Sequence, residues 1–233
     1  GPFPIPMTTG DPRRFRCAIT SPLRNSALEI ARLPAEVTAN WRTLDIGTIE
    51  QWLALFAKRH PQANVIFLGG EPTMHPELAR AVRSARSLSY GSVTIDTNGY
   101  LFHDILDRVT PQEVDFFSFS LDGPNFSVND PLRGRGSFDN STRGIAAAKA
   151  RGFAVSLIYT VSRANIAELE SMPLLLSDLG VERFFIQVIG LRGKAAERSN
   201  AGSLQLTRSE WLKIIPPLAQ NIARQGLTVS YPK

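Results

Sequence analysis

Three short runs in this 233-residue chain place carboxylates, amides and hydroxyls directly behind apolar segments. Val65-Ile66-Phe67-Leu68 leads into Gly69-Gly70-Glu71-Pro72, and Ile95-Asp96 leads into Thr97-Asn98-Gly99. Phe117-Ser118-Phe119 leads into Ser120-Leu121-Asp122-Gly123-Pro124. Paired glycines let backbone come close to a ligand, and a carboxylate beside them can accept hydrogen bonds from an ammonium group. The same residues also suit a glycine-rich strand-to-helix turn and an Asp-Gly-Pro turn. Other chemistry is poorly supplied. His60, His75 and His103 lack the spacing of a zinc site, with His75 read as a solvated loop residue. There is no phosphate-binding Walker loop and no G-x-S-x-G nucleophile elbow.

Composition narrows the class. Hydrophobic residues make up 43% and charged residues 20%, which fits a folded globular chain rather than a disordered one. The net charge is +5, but Arg13, Arg14, Arg16, Arg133, Arg135 and Arg192 are scattered, so a nucleic-acid partner is not expected. No apolar run reaches the roughly 18 residues of a membrane span. A single cysteine, Cys17, excludes an internal disulfide and suits a reducing cytoplasm; within its strand it reads as a buried core residue. The opening Gly1-Pro2 resembles the scar of a cleaved tag, so residues 1–13 are set apart and 14–233 are read as one domain. The oligomeric state is not legible.

The elements that must position these groups alternate. Strands are expected at Arg14–Thr20, Asn64–Leu68, Ser92–Asp96, Asp115–Leu121, Ala154–Val161, Arg183–Ile189 and Leu227–Tyr231. Helical stripes lie between them. Thr48 with Gln51 reads as a capping box ahead of Ile49, Trp52, Leu53 and Phe56, and Thr207 with Glu210 repeats the device before Trp211. Asn165 with Glu168 is a weaker start signal. Such alternation gives parallel βαβ units. Phe117, Phe119 and Leu121 fall on one face of a strand, and Ser118, Ser120 and Asp122 on the other. Thr94, Asp96, Ser156, Thr160 and Gln187 add further polar positions. An open doubly wound sheet would bury apolar residues on both faces, whereas a barrel with a polar lumen accommodates them. The expected fold is therefore an α/β partial (β/α)6 TIM-like barrel, with its site at the C-terminal strand ends. Pro124–Gly136 and Leu191–Gln205 are expected as long loops, the first either a lid or a surface connection.

The ordered series Gly69-Gly70-Glu71-Pro72, Thr97-Asn98-Gly99, Ser120-Leu121-Asp122-Gly123-Pro124, Arg133-Gly134-Arg135-Gly136-Ser137-Phe138-Asp139, Tyr159-Thr160-Val161 and Asn165 resembles the radical S-adenosylmethionine (radical SAM) enzymes that modify peptides and natural products. The resemblance covers residues 15 to 195. It implies that Glu71, with Gly69 and Gly70, holds the amino group of S-adenosylmethionine. It implies that Ser120 and Arg133 or Arg135 meet its carboxylate, and that Asn98, Thr160, Gln187 and Gly190 complete the site. On that reading Glu71→Ala is expected to weaken SAM binding and leave the fold intact. Family members of this type often carry a further cysteine-rich domain; this chain stops soon after the last expected strand and is expected to lack it.

The chain departs from the family at the loop after the first strand. Aligning Leu23-Arg24 on the family's cluster loop puts Ser21, Asn25 and Leu28 where three cysteines belong. None is a thiolate, the usual ligand of iron–sulfur iron. The expectation is a SAM site without an iron–sulfur cluster. Polar chemistry remains open to such a site: methyl transfer, aminocarboxypropyl transfer, or cyclisation or elimination of SAM, on a small molecule or peptide. Glu71, Asp96, Asp122 and Tyr159 are the candidate bases facing the lumen. The alternative is a pseudoenzyme that kept the barrel as a binding scaffold.

Overall fold

A computed structural model describes residues 14–18, 43–188 and 204–232. Seven short strands form one parallel sheet: β1 (Arg14–Ala18), β2 (Asn64–Leu68), β3 (Ser92–Thr97), β4 (Phe116–Ser120), β5 (Val155–Val161), β6 (Arg183–Val188) and β7 (Thr228–Ser230). Each strand pairs with the one before it in sequence, so the spatial order is also the chain order. The helices α1 (Ile46–Arg59), α2 (Leu78–Ser87), α3 (Ile105–Arg108), α4 (Phe126–Arg133), α5 (Ser137–Ala150), α6 (Met172–Asp178) and α7 (Arg208–Ala223) connect them. This is the partial barrel with outer helices that strand–helix alternation implies, lengthened by the short β7.

Alternation along each strand sets the two faces. Val65, Phe67, Val93, Ile95, Phe117, Phe119, Leu157 and Tyr159 are fully buried and pack with Ile49, Leu53, Leu78, Val82 and Ile145 from the helices. Each large apolar side chain so buried contributes about 1.5–3 kcal/mol. The opposite face carries Ile66, Thr94, Ser118, Ser156 and Ile158 and lines the lumen.

The start signals hold in part. Thr207 and Glu210 form the full capping box of α7. Helix α1 starts earlier than Thr48 suggests: Asp45 is its cap, accepting from Thr48 N at 2.9 Å. An aspartate one turn upstream competes better for the free N–H groups than threonine does. Asn165 precedes a 3-10 turn, Ile166–Ser171, but makes no capping bond there. Its Oδ1 instead accepts from Ser162 N at 2.7 Å. The expected loop Pro124–Gly136 contains helix α4, capped by Asn125, which accepts from Val128 N at 3.2 Å. Pro131 inside α4 is what makes the segment read as loop. The expected loop Leu191–Gln205 falls almost wholly outside the described residues, as do residues 1–13.

One close approach fixes the mouth of the barrel. A Cβ on Gly99, whose φ is +94°, would lie 2.6 Å from Ser141 Cα, and one on Gly144 would lie 2.7 Å from Gly99 O. Helix α5 therefore rests directly on the turn that ends β3. Ser141 Oγ bridges that turn to β4, donating to Asn98 O at 3.0 Å and to Ser120 O at 3.2 Å.

Candidate functional site

The lumen encloses about 710 Å³. Of the residues singled out in the sequence, Gly69, Gly70, Asp96, Asn98, Ser120, Arg133 and Gln187 line it. Glu71, Asp122, Tyr159 and Thr160 are not among its lining residues. Gly190, and with it Ser21, Asn25 and Leu28, lies outside the described residues.

Glu71 is the clearest displacement. It follows the last residue of β2 by three positions, where the chain has already turned, and it is wholly buried. Its Oε1 accepts from Thr73 N at 3.0 Å, Thr73 Oγ1 at 2.6 Å and Thr97 Oγ1 at 2.9 Å. Its Oε2 accepts from Asn98 N at 2.7 Å. Burial pushes its pKa up, and the hydrogen bonds from Thr73, Asn98 and Thr97 oppose that rise. The carboxylate thus ties the end of β2 to the end of β3, leaving the backbone of Gly69 and Gly70 on the lumen rim.

A second knot joins β4 to β5. Asp122 is 7% exposed and forms an ion pair with Arg133, Nε to Oδ2 2.7 Å, with Nη2 donating to Oδ1 at 3.2 Å. Oδ1 also accepts from Thr160 N at 2.7 Å. Asn165 Nδ2 donates to the carbonyls of Asp122 and Thr160, each at 3.0 Å. Tyr159 shares the core face of β5 with Leu157 and Val161; its hydroxyl donates to Asn165 O at 2.7 Å, and burial raises its pKa. The reading of Asp122 and Tyr159 as lumen-facing bases is therefore corrected. One is held in an ion pair outside the lumen lining, and the other points to the opposite side of the sheet. Thr160 Oγ1 accepts from Gln187 Nε2 at 2.9 Å, which joins β5 to β6.

Beside the rim, Asn98, Tyr100, Ser120, Arg133, Arg135, Ser137 and Ser141 enclose a nook of about 50 Å³. Arg133 Nε lies 2.7 Å from Asp122 Oδ2, so this guanidinium is already engaged by a carboxylate. Asp130 shapes the loop carrying both arginines. It accepts from Gly136 N at 2.5 Å, from Phe138 N at 3.0 Å and from Ser137 Oγ at 3.2 Å. Sequence reading missed Asp130, Asn129 and Ser141, although the Asp-Pro pair and the Gly-Arg-Gly-Ser run mark a constrained loop. Ser120 and Arg135 beside this small space suit a carboxylate. Backbone at Gly69 and Gly70 fits an ammonium.

Thiolates are the usual ligands of an iron–sulfur cluster. The chain has one cysteine. Cys17 is fully buried in β1, opposite Phe67, and desolvation pushes its thiol up to about 12. It is the core residue its strand position suggests. His75 is buried as well: its Nε2 lies 2.8 Å from Leu44 O and its Nδ1 accepts from Glu77 N at 3.1 Å. It is a structural histidine rather than a solvated one.

Comparison with known proteins identifies the class. The family model of the radical SAM superfamily matches residues 24–176, and the chain belongs to that superfamily. Over 114 residues it is 35% identical to the mycofactocin maturase MftC of Mycobacterium tuberculosis, covering 48% of this chain and 29% of that protein. Over 132 residues it is 30% identical to the pre-heme d1 synthase of Dinoroseobacter shibae, covering 56% of this chain and 32% of that protein. The matched stretches thus span about a third of these relatives. Among solved structures, Streptococcus suis SuiB bound to S-adenosylmethionine matches with a TM-score of 0.64 at 14% identity, over 83% of this chain and 45% of SuiB. That likeness is one of fold. No helix of the described residues is long and apolar enough to cross a membrane.

Proposed function

We propose that this chain binds S-adenosylmethionine at the mouth of the barrel and catalyses polar chemistry on a small-molecule or peptide substrate, without an iron–sulfur cluster. The observation that carries the reading is a pairing within one chain. A rim with backbone at Gly69 and Gly70 and a carboxylate-sized nook at Ser120, Arg133 and Arg135 accompanies a single, buried, high-pKa thiol. Membership of the superfamily and the SAM-bound neighbour support the cofactor. SuiB bound to its precursor peptide SuiA, with a TM-score of 0.65, supports a chamber able to admit a peptide.

Gly69 and Gly70 would meet the amino group through their backbone, and Ser120 with Arg135 the carboxylate. Arg133 serves that end less well, because Asp122 already offsets its charge. Asn98 and Gln187 line the wall between. When bound, SAM supplies an electrophilic carbon on a sulfonium, which needs an aligned nucleophile rather than an electron. Asp96 is the carboxylate in the lumen wall and is assigned as the base that takes the nucleophile's proton.

The experiment is incubation of the purified protein with SAM and candidate substrates, without reductant, followed by identification of the nucleoside released. S-adenosylhomocysteine indicates methyl transfer; 5′-methylthioadenosine indicates chemistry on the aminobutyrate chain. Release of 5′-deoxyadenosine that requires iron and reductant overturns the cluster-less reading. A scaffold reading draws on one observation: Asp122 and Tyr159, two candidate bases, serve the fold instead. SAM binding without turnover for any substrate, and unchanged by Asp96→Asn, is its expected signature.

A further inference from the structure

One register line crosses the lumen wall beneath the mouth. Asp96 pairs with Ser118, Ser118 with Ser156, Ser156 with Arg183, and Arg183 with Thr228. All five line the cavity. Neighbouring strands lie about 4.8 Å apart, so these side chains form a continuous polar arc across five strands.

Two features of the arc bear on what it could hold. Ser118 is 4% exposed and lines the cavity. Other buried polar side chains, such as Thr97, Asn129, Ser141 and Asn165, are bonded to protein. A serine hydroxyl in a cavity wall is free to be met by water or by the cavity's occupant. The second feature is Arg183. It is the arc's one cation, an exposed residue at the start of β6, and its guanidinium lies 4.3 Å over the ring of Phe116. No carboxylate forms an ion pair with it among the described residues, whereas Arg80, Arg86, Arg133, Arg151 and Arg163 each have one. Stacking on Phe116 orders the planar group and leaves its N–H edge open for an acceptor.

We propose that Arg183, held on Phe116 and flanked by the hydroxyls of Ser156 and Thr228, is an anion subsite in the lumen for the carboxylate or phosphate of an elongated small-molecule substrate. The proposal rests on the reading of the lumen as the substrate chamber of a SAM-binding enzyme. Arg183 opens β6, four residues before Gln187, which places the anion about 13 Å along the strand from the mouth. Ile66, Ile158 and Phe185 in the wall between suit an apolar stem. The reacting end of the substrate then reaches the rim near Asn98 and Ser120, while Ser118 meets a polar atom midway.

Calorimetric titration of the folded chain with hexanoate, 1-hexanol, inorganic phosphate and SAM tests this. Hexanoate is expected to bind more tightly than 1-hexanol. Arg183→Gln should weaken hexanoate by about fivefold, a hydrogen-bonded ion pair being lost at a partly solvated site. The same substitution should leave 1-hexanol and SAM within a factor of about two. Arg183→Lys, which keeps the charge and loses the fork, should fall between and serves if the glutamine variant is poorly folded. Phosphate binding that is also lost in Arg183→Gln, with hexanoate silent, assigns the subsite to phosphate esters. Equal hexanoate affinity in wild type and Arg183→Gln overturns the proposal, as does 1-hexanol binding as tightly as hexanoate, or neither anion binding at millimolar concentration. SAM titration separates the failures: no SAM binding sinks the cofactor reading while leaving an Arg183-dependent anion site standing.

Discussion

Polar groups at the strand ends and polar groups inside the strands behave in opposite ways in this barrel. At the ends, Glu71, Thr97, Asp122 and Asn165 spend their hydrogen-bonding capacity on protein, stitching β2 to β3 and β4 to β5. Within the wall, Ser118, Ser156 and Arg183 face the cavity. The difference teaches where to look for ligands in such a fold. A carboxylate beside paired glycines draws the eye, but its burial and its partners make it structural. The plain serines of the wall are the groups left over for chemistry.

This contrast can be broken most forcefully at Glu71. Glu71→Ala removes the acceptor of Thr73 N, Thr97 Oγ1 and Asn98 N at a fully buried position, and is expected to cost about 2–4 kcal/mol in urea unfolding. That replaces the expectation that Glu71→Ala leaves the fold intact; an unchanged midpoint would return Glu71 to ligand binding. Thr97→Val keeps volume but removes the donor to Glu71 and the acceptor of Gly99 N, and should cost about 1–2 kcal/mol by the same measurement. Ser118→Ala, equally buried, is expected within about 0.5 kcal/mol of wild type, because the residue lines the cavity. A loss like that of Thr97→Val would show Ser118 to be structural too.

Titration sharpens the same comparison among carboxylates. Burial raises Glu71 above its ordinary 4.5, so its side-chain carbon should titrate higher than that in an NMR experiment. Because the folded value is the higher one, the stability linked to it is present below 4.5 and is lost as pH rises through the folded midpoint. Glu210 behaves oppositely. Hydrogen bonds from Arg163, and from the Thr207 backbone and hydroxyl, hold it at about 2. Its contribution is present above 4.5 and disappears as pH falls toward 2, so the melting temperatures of wild type and Glu210→Gln should converge over that range. Salt should shrink this smallest effect first, since the group is exposed.

Much of the fold was legible because period-two alternation and capping are local signals. The strand Asn64–Leu68 appears as expected, and the polar lumen followed from Ser118 and Ser120 alternating with Phe117 and Phe119. Tyr159 was open to the same logic. It shares parity with Val155, Leu157 and Val161, so it and Thr160 cannot both face the lumen. Glu71 and Asp122 were not legible in this way. Both lie beyond their strands, where alternation no longer predicts direction, and their partners on the neighbouring strand, Thr97 and Thr160, are 26 and 38 residues away. Arg183 was visible only as a strand start; its placement over Phe116 depends on register across β4, β5 and β6, which no single strand encodes.

The strictly sequential order of the seven strands has a consequence for how the chain reaches this state. Every strand docks on the one made just before it, and the ladders from β1 to β7 need no distant partner. Loop closure between consecutive strands grows only slowly with the intervening length, and a growing chain can add one strand at a time to an existing edge. The sheet can therefore assemble in the direction of synthesis, with Glu71 locked only once Thr97 and Asn98 have emerged. The bonds of Glu71 need only β2 and β3, so they can close before the later strands of the lumen wall are made.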